Sequence, residues 1–215
     1  RNDASAMPIG IFDSGIGGLT VLKGLLKELP QERFVYFGDT ARLPYGTKSP
    51  DTVLGYSREI ANFLLMGKWA RHKKGPAVKM IVVACNTASA LAAPTLQKEL
   101  SIPVIGVVES GCLAAARLAP KGAIAIIGTK STIKSSVYTQ ILSRLAPKAK
   151  VAAKACPLFV SLVEEGWMDH PVTTQIAKIY LDPIIRKKPD VLILGCTHYP
   201  MLHKTIERIC GPNTA

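Results

Sequence analysis

The sequence predicts an α/β protein in which parallel strands are covered by helices on both faces. Short runs of β-branched and other apolar residues recur along the 215-residue chain without alternating polar positions. Segments with helical spacing of apolar residues separate these runs, as expected for a parallel sheet buried on both faces. Polar clusters follow several of the runs, at the strand ends where doubly wound sheets place their sites.

The first half of the chain alternates between predicted strands and helices. The apolar run over residues 8–12 predicts a strand that stops at Asp13. Leucines between 19 and 29 then fall on one helical face, and Pro30 ends that helix. A longer helix begins at Ser49-Pro50 and extends to at least Leu64. The remaining predicted elements are strands over 34–37, 80–84 and 103–107 and a helix over 88–100.

The second half repeats this pattern weakly. Strands are predicted over 123–127 and 191–194, and helices over 132–145 and 172–185. The segment from Ile124 resembles the segment from Ile9, and Leu192–Thr197 resembles Val82–Thr87. We therefore expect two pseudo-symmetric doubly wound domains, residues 7–108 and 109–210. Residues 1–6, which precede Met7, are interpreted as a remnant of an expression vector.

Composition narrows the class of protein further. The five cysteines include no CxxC pair, which disfavours a disulfide framework, a zinc ribbon and a thioredoxin motif. The net charge of +12 favours anionic ligands, whether a nucleic acid or a small carboxylate. The longest uncharged stretch, 80–97, carries polar residues and Pro94, so no membrane span is expected. Without the pattern of a signal peptide, and with an odd number of thiols, a cytoplasmic location is predicted.

Two glycine-containing loops follow predicted strands. Gly15-Ile16-Gly17-Gly18 departs from the dinucleotide fingerprint, but its N–H groups at a helix N-terminus could hold a carboxylate. The segment 128–132 ends like a phosphate-binding loop and lacks the earlier glycine. We interpret it as a helix N-terminus whose hydroxyls could hold an anion.

Cys85 and Cys196 are the principal candidates for chemistry. A lone cysteine is commonly a small packing residue, and that alternative stays open for both. Each nevertheless ends a predicted strand beside polar residues, where a thiol with an acid–base partner could transfer a proton. The other cysteines, which lack such neighbours, are interpreted as structural: Cys112, Cys156 and Cys210.

His198 lies two residues after Cys196, on the same side of an extended segment, and could act as a general acid or base. A zinc site formed by these two residues and His203 is a less favoured alternative, because the spacing matches no common pattern. Glu164 is interpreted either as an exposed acid at a helix end or as a carboxylate near a substrate ammonium group. The basic run over 68–79 is interpreted as a solvated helix end rather than a nucleic-acid site.

Four motifs in register resemble those of glutamate racemase, within the aspartate/glutamate racemase superfamily. They are Phe12–Leu19, Gly38-Asp39-Thr40 with Pro44-Tyr45-Gly46, Ala84–Ser89 and Gly195–Pro200. The order and spacing of these motifs match the family along nearly the whole chain, from Met7 to about Cys210.

The resemblance implies an isomerase that interconverts L- and D-glutamate without a cofactor or metal and supplies D-glutamate for peptidoglycan. The active site would lie in the cleft between the domains, where Cys85 takes the proton from D-glutamate and Cys196 takes it from L-glutamate. Asp13 would assist Cys85, and His198 and Glu164 would assist Cys196. The implied substrate-binding residues are Asp13, Ser14, Tyr45, Gly46, Asn86, Thr87, Thr129, Thr132 and Thr197.

The resemblance also leaves alternatives open. The substrate could be another amino acid such as aspartate, or the fold could have lost activity and bind a protein or nucleic acid through its basic surface. Nucleic acid and membrane partners are not expected, and the chain is expected to act as a homo-oligomer (a dimer) or as a monomer. Family chains continue beyond the position of Ala215 with a segment that returns to the first domain, so that segment is expected to be missing here.

Overall fold

The computed structural model describes residues 7–67 and 77–215. The predicted vector remnant over 1–6 and most of the basic run over 68–79 therefore lie outside the described residues. The chain divides into two compact units, Arg1–Val107 and Val108–Ala215. Each unit contains a parallel sheet with helices, so the predicted α/β class with parallel sheets is confirmed.

The first unit contains a four-stranded parallel sheet in the order β2-β1-β3-β4. Its strands are β1 Ile9–Asp13, β2 Phe34–Gly38, β3 Met80–Val83 and β4 Val104–Gly106. Its helices are α1 Leu19–Glu28, α2 Pro50–Met66, α3 Asn86–Leu91 and α4 Ala93–Glu99, with a 3₁₀ turn at Tyr45–Thr47. Asp13 and Cys85 therefore follow neighbouring strands of one sheet, as expected.

The second unit contains a three-stranded parallel sheet in the order β6-β5-β7. Its strands are β5 Ala123–Gly128, β6 Lys150–Ala155 and β7 Val191–Gly195. Its helices are α5 Val107–Leu118, α6 Lys130–Lys134, α7 Val137–Leu145, α8 Leu158–Glu164, α9 Pro171–Ile185 and α10 His203–Cys210, with a 3₁₀ turn at Tyr199–Leu202. The segments after β5 and β7 carry Thr129 and Cys196 to the carboxyl end of this sheet.

Local signals in the sequence fix both ends of helix α2. Ser49 caps α2 by accepting a hydrogen bond from the Thr52 amide at 3.2 Å, and Pro50 supplies the fixed φ of the first helical position. Gly67 ends the same helix with φ 60°, a left-handed conformation that glycine adopts without a steric penalty. The cap at Ser49 and the proline that follows it explain why the sequence predicts the start of α2 correctly.

The core of each unit lies between its sheet and the flanking helices. In the first unit, Phe12, Ile60 and Leu96 are essentially inaccessible to solvent. Helix α1 is less covered than its leucine pattern predicts. Leu22 packs beside β1, whereas Leu26 is half exposed.

Two predicted helices are each divided in the structure. The helix expected over 88–100 breaks at Ala92, just before Pro94, because proline cannot continue a hydrogen-bonded turn from inside a helix. The helix expected over 132–145 breaks at Ser136, which has φ 57°. Residue 107, predicted to end a strand, begins α5 instead.

Three elements were not predicted: β6, α5 and α10. For α8, the sequence suggested only a helix end at Glu164. The edge strand β6 carries lysines at both 150 and 154, which hide its apolar character. Among the described residues, no helix has both the length and the apolar character needed to cross a membrane.

The carboxyl end of β2 approaches the loop after β1 so closely that only glycine fits. A Cβ on Gly38 would lie 2.5 Å from the carbonyl oxygen of Gly15. We expect Gly38→Ala to destabilise the first unit by about 1–3 kcal/mol through overpacking, with a lower melting temperature and urea midpoint.

The matched control is Gly55→Ala in α2, where an added Cβ meets nothing within 4 Å. This substitution should stabilise the protein by roughly 0.5–1 kcal/mol, because alanine loses less backbone entropy in a helix. Equal effects of the two alanines on the melting temperature would contradict the close approach at Gly38.

Candidate active site

In the first unit, the carboxylate of Asp13 closes the loop between β1 and α1. Asp13 is fully buried, and its Oδ2 accepts hydrogen bonds from the amides of Gly15 at 3.1 Å and Gly18 at 3.0 Å. The sequence suggested this glycine loop as a place for a ligand carboxylate. In the structure, two of its N–H groups bind the protein's own carboxylate, so the loop is held in one conformation beside Ser14.

Cys85 lies at the end of β3, immediately before α3, and is 5% exposed. Its Sγ donates to the Oγ of Ser14 at 3.6 Å. Burial, followed by the negative charge of Asp13, raises the pKa of the Cys85 thiol to about 11. At neutral pH this sulfur is therefore a thiol that holds a transferable proton. Asn86 and Thr87, the first residues of α3, are buried beside it in sequence.

Tyr36 was not predicted from the sequence. It lies on β2 opposite Ile11, and its hydroxyl donates to the carbonyl of Gly15 at 2.8 Å. Burial raises the pKa of Tyr36, with further contributions from the charges of Asp13 and Cys85, which shows how near the phenol lies to both groups. The contact depends on the register of two strands, so only the apolar strand itself was visible in the sequence.

Tyr45 and Gly46 form a buried 3₁₀ turn in the first unit. The Tyr45 side chain is 1% exposed, and its hydroxyl donates to the carboxylate of Asp39. Tyr45 is one of the residues predicted to bind substrate in this unit. Its hydroxyl hydrogen, however, is donated to another group of the protein, the Asp39 carboxylate.

In the second unit, Cys196 follows β7 and is part of a chain of polar groups. Its Sγ lies 3.8 Å from Nδ1 of His198, and Nε2 of His198 lies 2.5 Å from Oε1 of Glu164. Cys196 and His198 are buried, whereas the Glu164 side chain is 31% exposed. Glu164 does lie at the C-terminus of a helix, α8, but it pairs with a buried histidine rather than with solvent alone. A thiol, a base and a group that orients the base form the usual arrangement of an activated nucleophile or proton acceptor.

The hydroxyls predicted after β5 also come together. Thr129 caps α6 by accepting from the Thr132 amide at 3.2 Å, and the two hydroxyl oxygens lie 2.9 Å apart. Both residues are buried, and so is Thr197 beside Cys196. The prediction that 128–132 form a helix N-terminus with hydroxyls is confirmed.

The segment that carries Cys196 and His198 is anchored by Tyr199. The Tyr199 ring is fully buried and packs edge-on against Phe159, with ring centres 5.2 Å apart. Its hydroxyl donates to the carbonyl of Cys156 at 2.9 Å. The residue that follows His198 is therefore anchored in the core of the second unit.

The remaining cysteines have different neighbours, since the sulfurs of Cys112 and Cys156 donate to the carbonyls of Tyr138 and Lys154. Cys112 and Cys156 are fully buried, and burial raises the pKa of each to about 12. Cys210 is half buried at the end of α10, and its pKa is also raised by burial. Over residues 7–67 and 77–215, no three His, Cys, Asp or Glu side chains are grouped so as to hold a metal ion.

Comparison with known proteins identifies the family and the class of fold. Residues 12–213 match the Asp/Glu/Hydantoin racemase family. The chain is 53% identical over 203 residues to the glutamate racemase of Geobacter metallireducens. These aligned residues make up 94% of this chain and 72% of that protein. The chain belongs to the Asp/Glu/Hydantoin racemase family and is an amino-acid racemase, an isomerase.

Solved structures narrow the relationship within the family. Glutamate racemase RacE1 from Bacillus anthracis is 40% identical with a TM-score of 0.90, covering 98% of this chain and 76% of that one. The Francisella tularensis glutamate racemase, determined in complex with D-glutamate, is 39% identical with a TM-score of 0.87 over the same shares. An aspartate racemase from Picrophilus torridus, 17% identical with a TM-score of 0.58, shares the fold. The resemblance to glutamate racemase is thereby confirmed.

The pKa of Cys85 can be tested by the pH dependence of alkylation. Iodoacetamide reacts with the thiolate, so the alkylation rate at Cys85, followed by peptide mass spectrometry, should rise about tenfold per pH unit from pH 7 to 10 without a plateau. A free cysteine peptide should level off near about pH 8.5–9.

Asp13→Asn should move the Cys85 profile to lower pH, because it removes a negative charge beside the sulfur. If the alkylation rate at Cys85 in the unsubstituted protein levels off near about pH 8.5, burial does not hold the proton on this thiol.

Proposed function

We propose that this protein interconverts L- and D-glutamate without a cofactor, by proton transfer at Cα between two cysteines. The observation that carries the proposal is the pair of buried thiols, each at the end of a strand with its own acid–base partner. Cys85 contacts Ser14 near Asp13, and Cys196 contacts His198, which pairs with Glu164. In a cell, the product D-glutamate would serve peptidoglycan synthesis.

Racemisation requires removal of a proton from one face of Cα and delivery of another to the opposite face. One thiolate acts as the base and one thiol as the acid, and the roles exchange when the reaction runs in reverse. Each unit would contribute one of the two sulfurs. The proton count balances, because one sulfur gains the proton that Cα loses and the other loses the proton that Cα gains.

The different surroundings of the two thiols support an assignment of roles. Cys85 has a pKa raised to about 11 and a carboxylate nearby, so it rests as the proton donor. Cys196 lies 3.8 Å from a histidine nitrogen that can take its proton, and Glu164 stabilises the positive charge that would develop on that ring. Cys196 is accordingly the base toward L-glutamate, and Cys85, assisted by Asp13, is the base toward D-glutamate.

The weakly acidic Cα–H becomes easier to remove when hydrogen bonds stabilise the charge that develops on the substrate carboxylate. Buried hydroxyls and amides near both thiols are suited to this task. The residues proposed to bind the amino acid are Asp13, Ser14, Tyr45, Gly46, Asn86, Thr87, Thr129, Thr132 and Thr197. We further propose that residues 7–108 and 109–210 are the two functional domains, and that the enzyme acts in the cytoplasm as a monomer or homodimer.

The two-base assignment can be tested by replacing each sulfur. Cys85→Ser and Cys196→Ser should each lower racemisation of glutamate by roughly 10²-fold to 10⁴-fold, the usual contribution of a positioned acid or base. Circular dichroism follows the loss of optical activity, and NMR in D₂O should show deuterium entering Cα during turnover by the unsubstituted enzyme.

Cys210→Ser is the matched control, because that thiol, half buried at the end of α10, is not among the residues proposed to act on or bind the substrate. It should keep racemisation within about twofold. Substantial turnover by either Cys85→Ser or Cys196→Ser would contradict the two-base mechanism, and turnover of aspartate in preference to glutamate would contradict the proposed substrate.

The direction of each proton transfer can be tested through Glu164. Glu164→Gln removes the charge that supports His198, so proton transfer at Cys196 should slow by roughly tenfold or more. Since the enantiomers have equal free energy, kcat/KM must fall equally in both directions. The primary isotope effect should instead become larger with Cα-deuterated L-glutamate than with Cα-deuterated D-glutamate.

Glu165→Gln provides a neighbouring control of the same chemistry, one residue beyond the end of α8. It should leave the rates and isotope effects unchanged. If the isotope effect of Glu164→Gln grows mainly with D-glutamate, the assignment of His198 and Glu164 to proton transfer at Cys196 is wrong.

A further inference from the structure

Asp39, in the loop after β2, has no role in the proposed reaction, yet it is a buried carboxylate. It is 5% exposed, and its Oδ2 accepts hydrogen bonds from the Tyr45 hydroxyl and from Nε of Arg42, the latter at 2.7 Å. Taking a carboxylate out of water is costly unless it is paired and hydrogen-bonded. Here a cation and a phenol satisfy one oxygen, so both partners are held to it.

Arg42 is itself fixed by contacts on other sides. Its Nη1 donates to Oε2 of Glu59 at 2.5 Å, and its guanidinium carbon lies 4.1 Å above the ring of Tyr56. The Tyr56 ring in turn lies 5.7 Å from the Tyr45 ring. Arg42, Asp39, Tyr45 and Tyr56 thus form a closed cluster, which joins the loop after β2, the 3₁₀ turn and helix α2.

This cluster restricts what Tyr45 can offer to a substrate. Its hydroxyl hydrogen is donated to Asp39, so the phenolic oxygen can only accept a hydrogen bond. A substrate carboxylate also only accepts, and it therefore cannot bind this hydroxyl. Burial, followed by Asp39, raises the pKa of Tyr45, which keeps the phenol protonated and the bond intact at neutral pH. Whatever this turn offers to a substrate carboxylate must therefore come from groups other than the Tyr45 hydroxyl.

The backbone of Asp39 connects the cluster to the catalytic loop. The Asp39 amide donates to the carbonyl of Asp13 at 3.0 Å, and the Arg42 amide donates to the carbonyl of Asp39 at 3.1 Å. One residue therefore joins the end of β1, which carries Asp13, to the turn that carries Tyr45 and Gly46.

We propose that Asp39, held by Arg42, is a positioning residue that fixes the Tyr45–Gly46 turn for substrate binding. The inference rests on the proposed function, in which this turn contacts the amino acid. Asp39 is not proposed to contact either thiol. Its loss should therefore weaken substrate binding and leave the proton transfers intact.

The test is steady-state racemisation of glutamate by the full chain, with a melting curve for each variant to confirm folding. Asp39→Ala and Arg42→Met should each raise KM for glutamate about tenfold while kcat changes by less than about threefold. Asp39→Asn, which keeps an oxygen acceptor without the charge, should fold and show a smaller rise in KM.

Glu99→Ala is the matched control, because it removes a carboxylate paired with an arginine, Arg58 at 2.5 Å, on an exposed surface. It should leave KM and kcat unchanged. If Asp39→Ala lowers kcat and leaves KM unchanged, or matches Glu99→Ala in both constants, the proposal is overturned.

A double substitution separates positioning from a general loss of structure. If Asp39 acts through Tyr45, then Asp39→Ala should add less than about twofold to KM in a Tyr45→Phe background. Independent, multiplying effects on KM would overturn the proposal. Absence of racemisation by the unsubstituted chain would instead refute the proposed function, so the two failures are distinguishable.

Discussion

The buried carboxylate of Asp13 organises the candidate site residues of the first unit. By accepting from the amides of Gly15 and Gly18, it fixes the turn between β1 and α1 and sets the position of Ser14 against the Cys85 sulfur. The same charge raises the pKa of that thiol, second only to burial. One ionised oxygen thereby acts both as a structural acceptor and as an electrostatic element. Gly18 is required here, because a Cβ at this position would lie 2.5 Å from that of Asp13.

The polar cluster of the second unit also places a buried thiol beside acid–base groups, but it uses different residues. Its thiol depends on a histidine and a glutamate that come from separate elements, the segment after β7 and the end of α8. The Cys85 thiol thus lies near a carboxylate and the Cys196 thiol lies beside an imidazole, so the two sulfurs have different acid–base neighbours.

Much of this arrangement followed from the sequence, and the exceptions share a physical cause. Asp13, Cys85 and Cys196 were placed correctly because the carboxyl ends of buried parallel strands can be read from apolar runs. The pairing of Glu164 with His198 joins positions far apart in sequence, so only resemblance suggested it. Arg42 gave no signal, because its partners depend on the path of a loop.

Local structure was predictable to a similar degree. Pro94 could have indicated the break near Ala92, whereas a serine gives no sequence signal for the left-handed conformation that Ser136 adopts. The edge strand β6 was hidden by lysines that discourage pairing with other chains.

A thiol that keeps its proton also resists chemical damage. Peroxides and electrophiles attack the thiolate, and sulfenic acid formation follows thiolate character and exposure. With a pKa of about 11 and 5% exposure, Cys85 presents little thiolate at neutral pH. The environment that keeps the proton on this sulfur therefore protects it from oxidation, and inhibitors directed at it must bring affinity of their own rather than rely on its nucleophilicity.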